Sequence, residues 1–123
     1  MRILLADDQS EVRMALKILL DQEAGLEIVE EAEELASLII KTKESKPDLM
    51  LLDWELSNLR VSDLIPVFRC LFPDLLIIAM SGRPEASKSA LAAGVDAFVS
   101  KGENSERLLE AISKLQTVKN RES

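Results

Sequence analysis

Five residues that could take part in chemistry come directly after short apolar runs in this sequence. Asp7 and Asp8 follow the first run, Asp53 follows a second, and Ser81 and Lys101 follow two others. If the runs are parallel strands of one sheet, their carboxyl ends share the edge where open α/β sheets bind ligands. Like charges about 4 Å apart repel by about 4 kcal/mol per pair at an effective dielectric near 20. We therefore expect a hard divalent cation to compensate the three carboxylates, because all-oxygen ligand sets select such ions.

The composition is that of one small α/β domain. The chain has 123 residues, of which 47% are hydrophobic and 30% charged, enough for one core and too few for two. Its 15 Lys and Arg residues against 22 Asp and Glu residues give a net charge of −7, which argues against contact with nucleic-acid phosphates. No apolar run approaches a membrane span, and acids interrupt the first run before a signal peptide could form. We expect a cytoplasmic domain that contacts neither membrane nor nucleic acid itself.

Apolar runs alternate with segments of helical spacing along the chain. The runs lack regular polar alternation, as in parallel strands buried on both faces, and lie near residues 2–6, 27–32, 48–52, 75–80 and 95–100. The helical stripes are Val12, Leu16, Leu19 and Leu20; Leu35, Leu38 and Ile39; Leu64, Val67, Phe68 and Leu71; and Leu108, Ile112 and Leu115. This alternation predicts a doubly wound sheet with right-handed crossovers.

Two local features qualify this pattern. The segment 85–93 offers mainly Ala86, Ala90, Leu91 and Ala93 to the core, and buried alanine removes little apolar surface from water. This helix is therefore a candidate moving part, although a plain surface helix is an equally good interpretation. The single cysteine, Cys70, lies in an apolar stretch and predicts a buried, inert thiol.

The sequence as a whole resembles the receiver domain of bacterial two-component response regulators. The resemblance is carried by Ala6-Asp7-Asp8, by Asp53 after a strand, by Met80-Ser81-Gly82 and by the segment 93–102. It implies a flavodoxin-like (βα)₅ fold: a five-stranded parallel sheet of strand order 2-1-3-4-5 with helices on both faces. The receiver would span residues 1–118, and 119–123 would be a tail or the start of a linker. The segment 94–109, with Gly102 after Lys101, is most similar to receivers of LuxR/NarL-type regulators.

The resemblance implies that Asp53 accepts a phosphoryl group. Asp8 would bind Mg²⁺ or Mn²⁺ directly and Asp7 mainly through water, while Asp53 and the backbone carbonyl of Glu55 would complete the protein ligands. Carboxylates do form aspartyl phosphates, and phosphoryl transfer depends mainly on positioning and on compensation of oxygen charge.

The resemblance also assigns roles around the acceptor. Ser81 and Lys101 would bind oxygens of the phosphoryl group, and Gly82 would leave room for it. Ser81 and Phe98 would be switch residues that alter the surface of the fourth helix, the fifth strand and the fifth helix. Phe98 is also simply explained as a core residue.

The sequence departs from the family pattern after the acceptor. Leu56, Ser57 and Val61 stand where many receivers have Met-Pro and a later glycine. Glu55 could repel or steer a water molecule that attacks the phosphoryl group, and Arg83 could do the opposite. The lifetime of the phosphorylated form is therefore expected to be tuned by these two residues.

The function implied is that of a phosphoryl-accepting signalling domain, which catalyses only its own phosphorylation and dephosphorylation. The sequence contains no histidine, so the donor imidazole must come from a sensor histidine kinase or a phosphotransfer protein. Homodimerisation on phosphorylation and a DNA-binding output domain beyond residue 123 are compatible with the resemblance, but these residues do not imply them.

Three other interpretations are open at this point. A degenerate receiver would act as an interaction module without phosphorylation. A Mg²⁺-dependent phosphatase would also use a strand-end aspartate, with Glu55 as its second acid. Individually, Asp8 could cap the next helix with Glu11 in a capping box. An intact set of acids with Ser81 and Lys101 argues against a degenerate receiver, and the convergence of five such residues argues against simple capping. No cap domain or substrate-sized pocket, as such a phosphatase would need, is evident at this length.

Overall fold

The protein contains a fully parallel β-sheet. The computed structural model describes residues 1–56 and 60–122. In these residues the sheet has five strands in the order β2-β1-β3-β4-β5. The strands are β1 (Arg2–Ala6), β2 (Glu27–Ala32), β3 (Leu49–Asp53), β4 (Leu76–Ser81) and β5 (Ala97–Ser100). The predicted flavodoxin-like fold and strand order are confirmed, and each predicted apolar run overlaps an observed strand.

Helices cover both faces of this sheet. They are α1 (Ser10–Asp21), α2 (Leu35–Ser45), α3 (Ile65–Leu71), α4 (Ser87–Ala93) and α5 (Ser105–Glu122). Helices α1 and α5 pack on one face through a core that includes Leu20 and Ile112. Helices α2, α3 and α4 pack on the other through a core that includes Leu38, Phe68 and Ala90. Because helices cover both faces of the sheet, both faces of the inner strands are buried, and their sequences do not alternate between apolar and polar residues.

Glycine and proline mark the ends of the helices. Gly94 follows α4 with φ of 108°, a left-handed conformation that favours glycine, and its N–H donates to the carbonyls of Ala90 and Leu91. Pro66 lies in the first turn of α3, and Pro84 begins a 3₁₀ turn, Pro84–Ala86, before α4. Neither proline interrupts a helix, because the first N–H groups of a helix have no intrahelical acceptor.

The inward face of α3 differs from the predicted stripe. Ile65 and Phe68 are fully buried, whereas Val67 and Leu71 are 39% and 52% exposed. Ile65, Phe68 and Phe72, which are three and four residues apart, face the core. The positions between them therefore point outward. Cys70 lies on this outer side and is exposed, so the predicted buried thiol is wrong.

The segment before β5 is held mainly by small side chains, as the sequence predicted. Ala86 is 5% exposed and Ala90 is fully buried. Leu91 is 52% exposed, so its predicted place in the core is wrong. Because α4 has only two turns and Ala90 takes its inward position, the neighbouring Leu91 points outward.

The start of α1 differs from one interpretation of the sequence, and the end of α5 reaches the predicted tail. The residue that precedes α1 is Gln9, and no side-chain hydrogen bond caps this end, so the capping box of Asp8 and Glu11 is not formed. Helix α5 extends to Glu122, into the residues 119–123 that were predicted to be a tail or the start of a linker. Lys119, placed in the predicted tail, forms an ion pair with Asp48 at 3.2 Å.

Candidate functional site

The carboxyl ends of four strands carry the predicted site residues. Asp7 follows β1, Asp53 ends β3, Ser81 ends β4, and Lys101 follows β5. The register aligns Ser81 with Ser100, and the Lys101 N–H donates to the Ser81 carbonyl at 2.8 Å. The parallel sheet therefore brings these residues to one edge, as predicted.

Lys101 joins the two buried carboxylates of this edge. Its Nζ lies 2.9 Å from Asp7 Oδ2 and 3.2 Å from Asp53 Oδ1. Asp7 and Asp53 are each 4% exposed, and the Lys101 side chain is 20% exposed. One ammonium group thus compensates two carboxylates that are largely removed from water.

These contacts change the acid–base properties of the site. Burial raises the pKa of Asp53, the N–H of Glu55 lowers it, and the charge of Asp7 raises it again; the net pKa is raised despite Lys101. Burial lowers the pKa of Lys101, but the hydrogen bond that Lys101 donates to Asp7 and the negative charge of Asp53 outweigh this and leave the pKa raised. Lys101 is therefore positively charged at neutral pH.

The acids of the site form a set that suits a divalent cation. Carboxylate oxygens of Asp7, Asp8 and Asp53 all lie within 4.8 Å of one another. The donors are oxygens only, which fits Mg²⁺ or Mn²⁺ better than a metal that prefers nitrogen or sulfur ligands. Asp8 is exposed whereas the other two are buried, so solvent reaches the set from the side of Asp8.

Ser81 contacts Glu55, a contact that the sequence did not predict. Ser81 is fully buried, and its hydroxyl group donates to the Glu55 carboxylate, whose oxygens lie 2.8 and 2.9 Å away. Arg83 Nη2 lies 3.6 Å from Glu55 Oε2, and the Arg83 N–H donates to Ser81 Oγ at 3.0 Å. Glu55 and Arg83, predicted to have opposite effects, thus form a loose ion pair beside Ser81.

The remaining predicted residues surround this centre. A Cβ added to Gly82 would meet no heavy atom within 4 Å, so this side of the cleft is open, and protein atoms alone do not require glycine there. Phe98 is partly buried and packs against the core of the α2, α3 and α4 face. Leu56 and Val61 are buried, and Ser57 lies outside the described residues.

Trp54 and Arg13 also belong to the surroundings of the site; the sequence placed Trp54 beside Asp53 without predicting its contacts, and it did not single out Arg13. Trp54 Nε1 donates to Ser89 Oγ at 3.3 Å and so connects the segment after β3 to α4. Arg13 is 8% exposed and contacts the main chain of Asp7. The available signal for Arg13 was a cation among the apolar positions of α1, five residues after Asp8.

Comparison with known proteins agrees with this arrangement. Residues 3–113 match the response regulator receiver domain family. The chain is 33% identical to the chemotaxis protein CheY of Bacillus subtilis, over 92% of this chain and 95% of that protein. It is 31% identical to CheY of Thermotoga maritima, over 93% and 96%. It is 25% identical to the response regulator VraR of Staphylococcus aureus over 92% of this chain, but it spans only 55% of VraR.

Solved structures share the fold. RcsB of Salmonella enterica serovar Typhimurium, bound to the promoter rprA with the phosphomimetic BeF₃⁻, has a TM-score of 0.87 at 23% identity, over 95% of this chain and 60% of that one. A LuxR-family two-component response regulator from Aurantimonas sp. SI85-9A1 has a TM-score of 0.85 at 23% identity, over 93% and 83%. Regulators of the predicted LuxR type are thus among the structural neighbours.

The fold and the strand-end site define a flavodoxin-like α/β domain whose acids, serine and lysine surround one cleft. The chain belongs to the response regulator receiver domain family, the phosphoacceptor signalling domains of two-component systems. Receiver domains bind Mg²⁺ in such an acidic pocket and interact with histidine kinases. No helix among the described residues is long and apolar enough to cross a membrane.

Proposed function

We propose that Asp53 accepts a phosphoryl group from a histidine kinase or a phosphotransfer protein, and that this switches the surface of α4, β5 and α5. The observation that supports it most is the position of Asp53, buried at the end of β3 and 3.2 Å from Lys101. Asp7 and Asp8 stand beside it with their carboxylate oxygens within 4.8 Å. The change in the surface of α4, β5 and α5 would be the receiver's output, and the kinase or phosphotransfer protein would be its physiological partner.

The transfer needs little from the protein besides placement and charge compensation. A carboxylate oxygen of Asp53 attacks the phosphorus, and the bond from phosphorus to the donor's imidazole nitrogen breaks. The imidazole, which comes from the partner because this chain has no histidine, leaves with the bonding electrons. Bound at Asp7, Asp8, Asp53 and the Glu55 carbonyl, Mg²⁺ or Mn²⁺ would supply compensation of the oxygen charge.

Lys101 and Ser81 would then stabilise the product. The Lys101 ammonium group, now shared between Asp7 and Asp53, would turn one of its three N–H bonds to a phosphoryl oxygen. The Ser81 hydroxyl would exchange the Glu55 carboxylate for another phosphoryl oxygen. Both groups would then make contacts that the unphosphorylated form lacks, and such differential contacts are the condition for a ligand to shift a conformational equilibrium.

Glu55 and Arg83 would set the lifetime of the phosphorylated form. The Glu55 carboxylate lies beside Ser81 and repels anions, so it opposes both the incoming phosphoryl group and an attacking hydroxide. Arg83 pairs loosely with Glu55 and reduces this repulsion. The Glu55 carboxylate is committed to Ser81 and Arg83, which argues against its use as the general acid of a phosphatase.

The acceptor is tested by incubation with acetyl phosphate and millimolar Mg²⁺. We expect intact-mass spectra to show the addition of one phosphoryl group that is labile to base and hydroxylamine. Asp53→Asn should abolish the addition, whereas Asp74→Asn, which makes the same change at an exposed aspartate, should preserve it. Equal labelling of wild type and Asp53→Asn would refute the acceptor, and no labelling of any variant would favour a degenerate receiver.

A further inference from the structure

All three nitrogens of the Arg13 guanidinium group contact oxygen atoms, in the space between α1 and the end of β2. Its Nε lies 3.0 Å from Glu31 Oε1, and its Nη2 lies 2.9 Å from Glu33 Oε1. Its Nη1 donates to the backbone carbonyl of Asp7 at 2.6 Å, and this contact is buried. A planar guanidinium fork held at three positions has little freedom to rotate, so its contact with Asp7 is fixed in direction.

The main chain at Asp7 is therefore held on both sides. Its N–H donates to the Ala32 carbonyl at 3.0 Å, at the end of β2, and its carbonyl accepts from Arg13. That carbonyl belongs to the planar peptide that joins Asp7 to Asp8. The orientation of this one peptide determines where the Asp8 side chain begins, while Gln9 N–H fixes Asp7 Oδ1 at 2.9 Å.

We infer that Arg13 is a positioning residue that orients the Asp7–Asp8 peptide so that both carboxylates face the cation. The inference rests on the proposed metal site and adds to it a residue that contacts neither the cation nor the phosphoryl group. Groups that orient metal ligands commonly change metal affinity 10- to 100-fold when they are removed.

If Arg13 acted mainly through its charge, its removal would change the Mg²⁺ affinity in the opposite direction. A positive charge near the site repels a divalent cation, so its removal would strengthen Mg²⁺ binding if charge were its main effect. Glu31 and Glu33 already neutralise that charge. Loss of orientation should therefore outweigh loss of repulsion, and removal of Arg13 should weaken binding.

The fluorescence of Trp54 provides a way to measure Mg²⁺ binding. Trp54 is the only tryptophan in the sequence and follows Asp53 directly, so its fluorescence should respond to Mg²⁺ at the site. We would titrate wild type, Arg13→Met, Arg13→Lys and Lys17→Met with Mg²⁺ at constant ionic strength, after circular dichroism has confirmed that each is folded. Lys17→Met is the matched control, because it removes the neighbouring ion pair of Glu31 at 3.0 Å and leaves the contact between Arg13 and Asp7 in place.

We expect the Mg²⁺ dissociation constant to rise about tenfold in Arg13→Met, to rise less in Arg13→Lys and to stay unchanged in Lys17→Met. If Arg13→Met does not fold, Arg13→Lys carries the test, since lysine keeps the charge and loses the fork. A folded arginine variant that binds Mg²⁺ as tightly as wild type, or more tightly, overturns the role of Arg13 alone. A wild-type protein with no Mg²⁺ response overturns the proposed metal site and this inference with it.

Discussion

The hydroxyl group of Ser81 donates to the carboxylate of Glu55, with the two oxygens 2.8 and 2.9 Å away. Ser81 ends β4 and is fully buried, whereas Glu55 follows β3, the strand that ends at Asp53. The residue expected to bind the phosphoryl group is thus engaged with a carboxylate of its own chain. In the proposed function, phosphorylation would replace one anionic acceptor of this hydroxyl by another, so Glu55 would compete directly with the phosphoryl group.

We predict that Glu55→Gln accelerates phosphorylation. The variant keeps the length of the side chain and its carbonyl acceptor but removes the negative charge beside the incoming anion. A like charge at about 4 Å contributes about 1 kcal/mol in water, which corresponds to about fivefold in rate. The initial rate with acetyl phosphate and saturating Mg²⁺, followed by intact mass, measures this change.

Glu110→Gln is the control for Glu55→Gln, since it makes the same change in net charge on the exposed side of α5. Its rate should equal that of wild type. A Glu55→Gln rate at or below that of Glu110→Gln would mean that Glu55 does not compete for Ser81.

We also predict that Lys101→Met lowers the free energy of unfolding in chelator. Asp7 and Asp53 would lose their shared cation, at a cost of about 2 kcal/mol, less than the ~3–5 kcal/mol of a fully buried pair because solvent reaches Lys101. The pKa of Lys101 is raised above 10.5, so its stabilisation is complete below pH 10.5 and is lost as the pH rises through the raised pKa. Denaturant titrations should therefore show a constant difference from pH 7 to 9 that closes only above pH 10.5. Lys114→Met, at an exposed position of α5, should show no such difference.

The sequence was sufficient to predict the positions of residues that directly follow the strands. A parallel strand buried on both faces appears as an apolar run, so the residues after Ala6, Leu52, Met80 and Ser100 could be placed at one edge before any coordinates were known. The structure places those residues together at one edge of the sheet, where they were expected.

What the sequence did not predict depends on how side chains from distant segments meet. Arg13 finds Glu31 and Glu33 only after α1 has packed beside β2, and no local spacing relates the three. The outward turn of Cys70 has a similar origin, because the path from Ile65 to Phe72 decides which side of α3 faces the core. Periodicity gives the existence of an apolar stripe more reliably than its direction when a helix has only two turns.

A third prediction concerns the path from the acceptor to α4. Trp54 Nε1 donates to Ser89 Oγ at 3.3 Å, and Lys101 N–H donates to the Ser81 carbonyl at 2.8 Å, so the segment 82–105 is tied to the site at Ser89 in α4 and at Lys101 after β5. Addition of Mg²⁺ and beryllium trifluoride should change amide-exchange protection across 82–105, while α2 stays unchanged. Asp53→Asn with the same additives is the control. Unchanged protection across 82–105 in wild type would contradict this coupling.

The last prediction tests the acid cluster through stability. Burial and Asp7 raise the pKa of Asp53, so the ionised carboxylate costs the folded state free energy at neutral pH. Asp53→Asn removes the charge and keeps the shape, and in chelator at pH 7 it should raise the free energy of unfolding by about 1 kcal/mol after solvent screening. The cost is present above the raised pKa and disappears as the pH falls through it towards 3.8, so the advantage of the variant should shrink over that range.

Mg²⁺ should reverse the order of the two proteins. A cation that binds only the native state stabilises it by mass action, and wild type offers three carboxylates where Asp53→Asn offers two. At 100 times the dissociation constant the gain is about 2.7 kcal/mol, which exceeds the repulsion relieved by the substitution. Denaturant titrations of both proteins in chelator and in millimolar Mg²⁺ measure the four free energies. Because most substitutions of buried residues destabilise, a more stable variant in chelator is an informative sign. A variant that is less stable in chelator, or equal stabilisation of both proteins by Mg²⁺, would mean that these carboxylates do not share a cation.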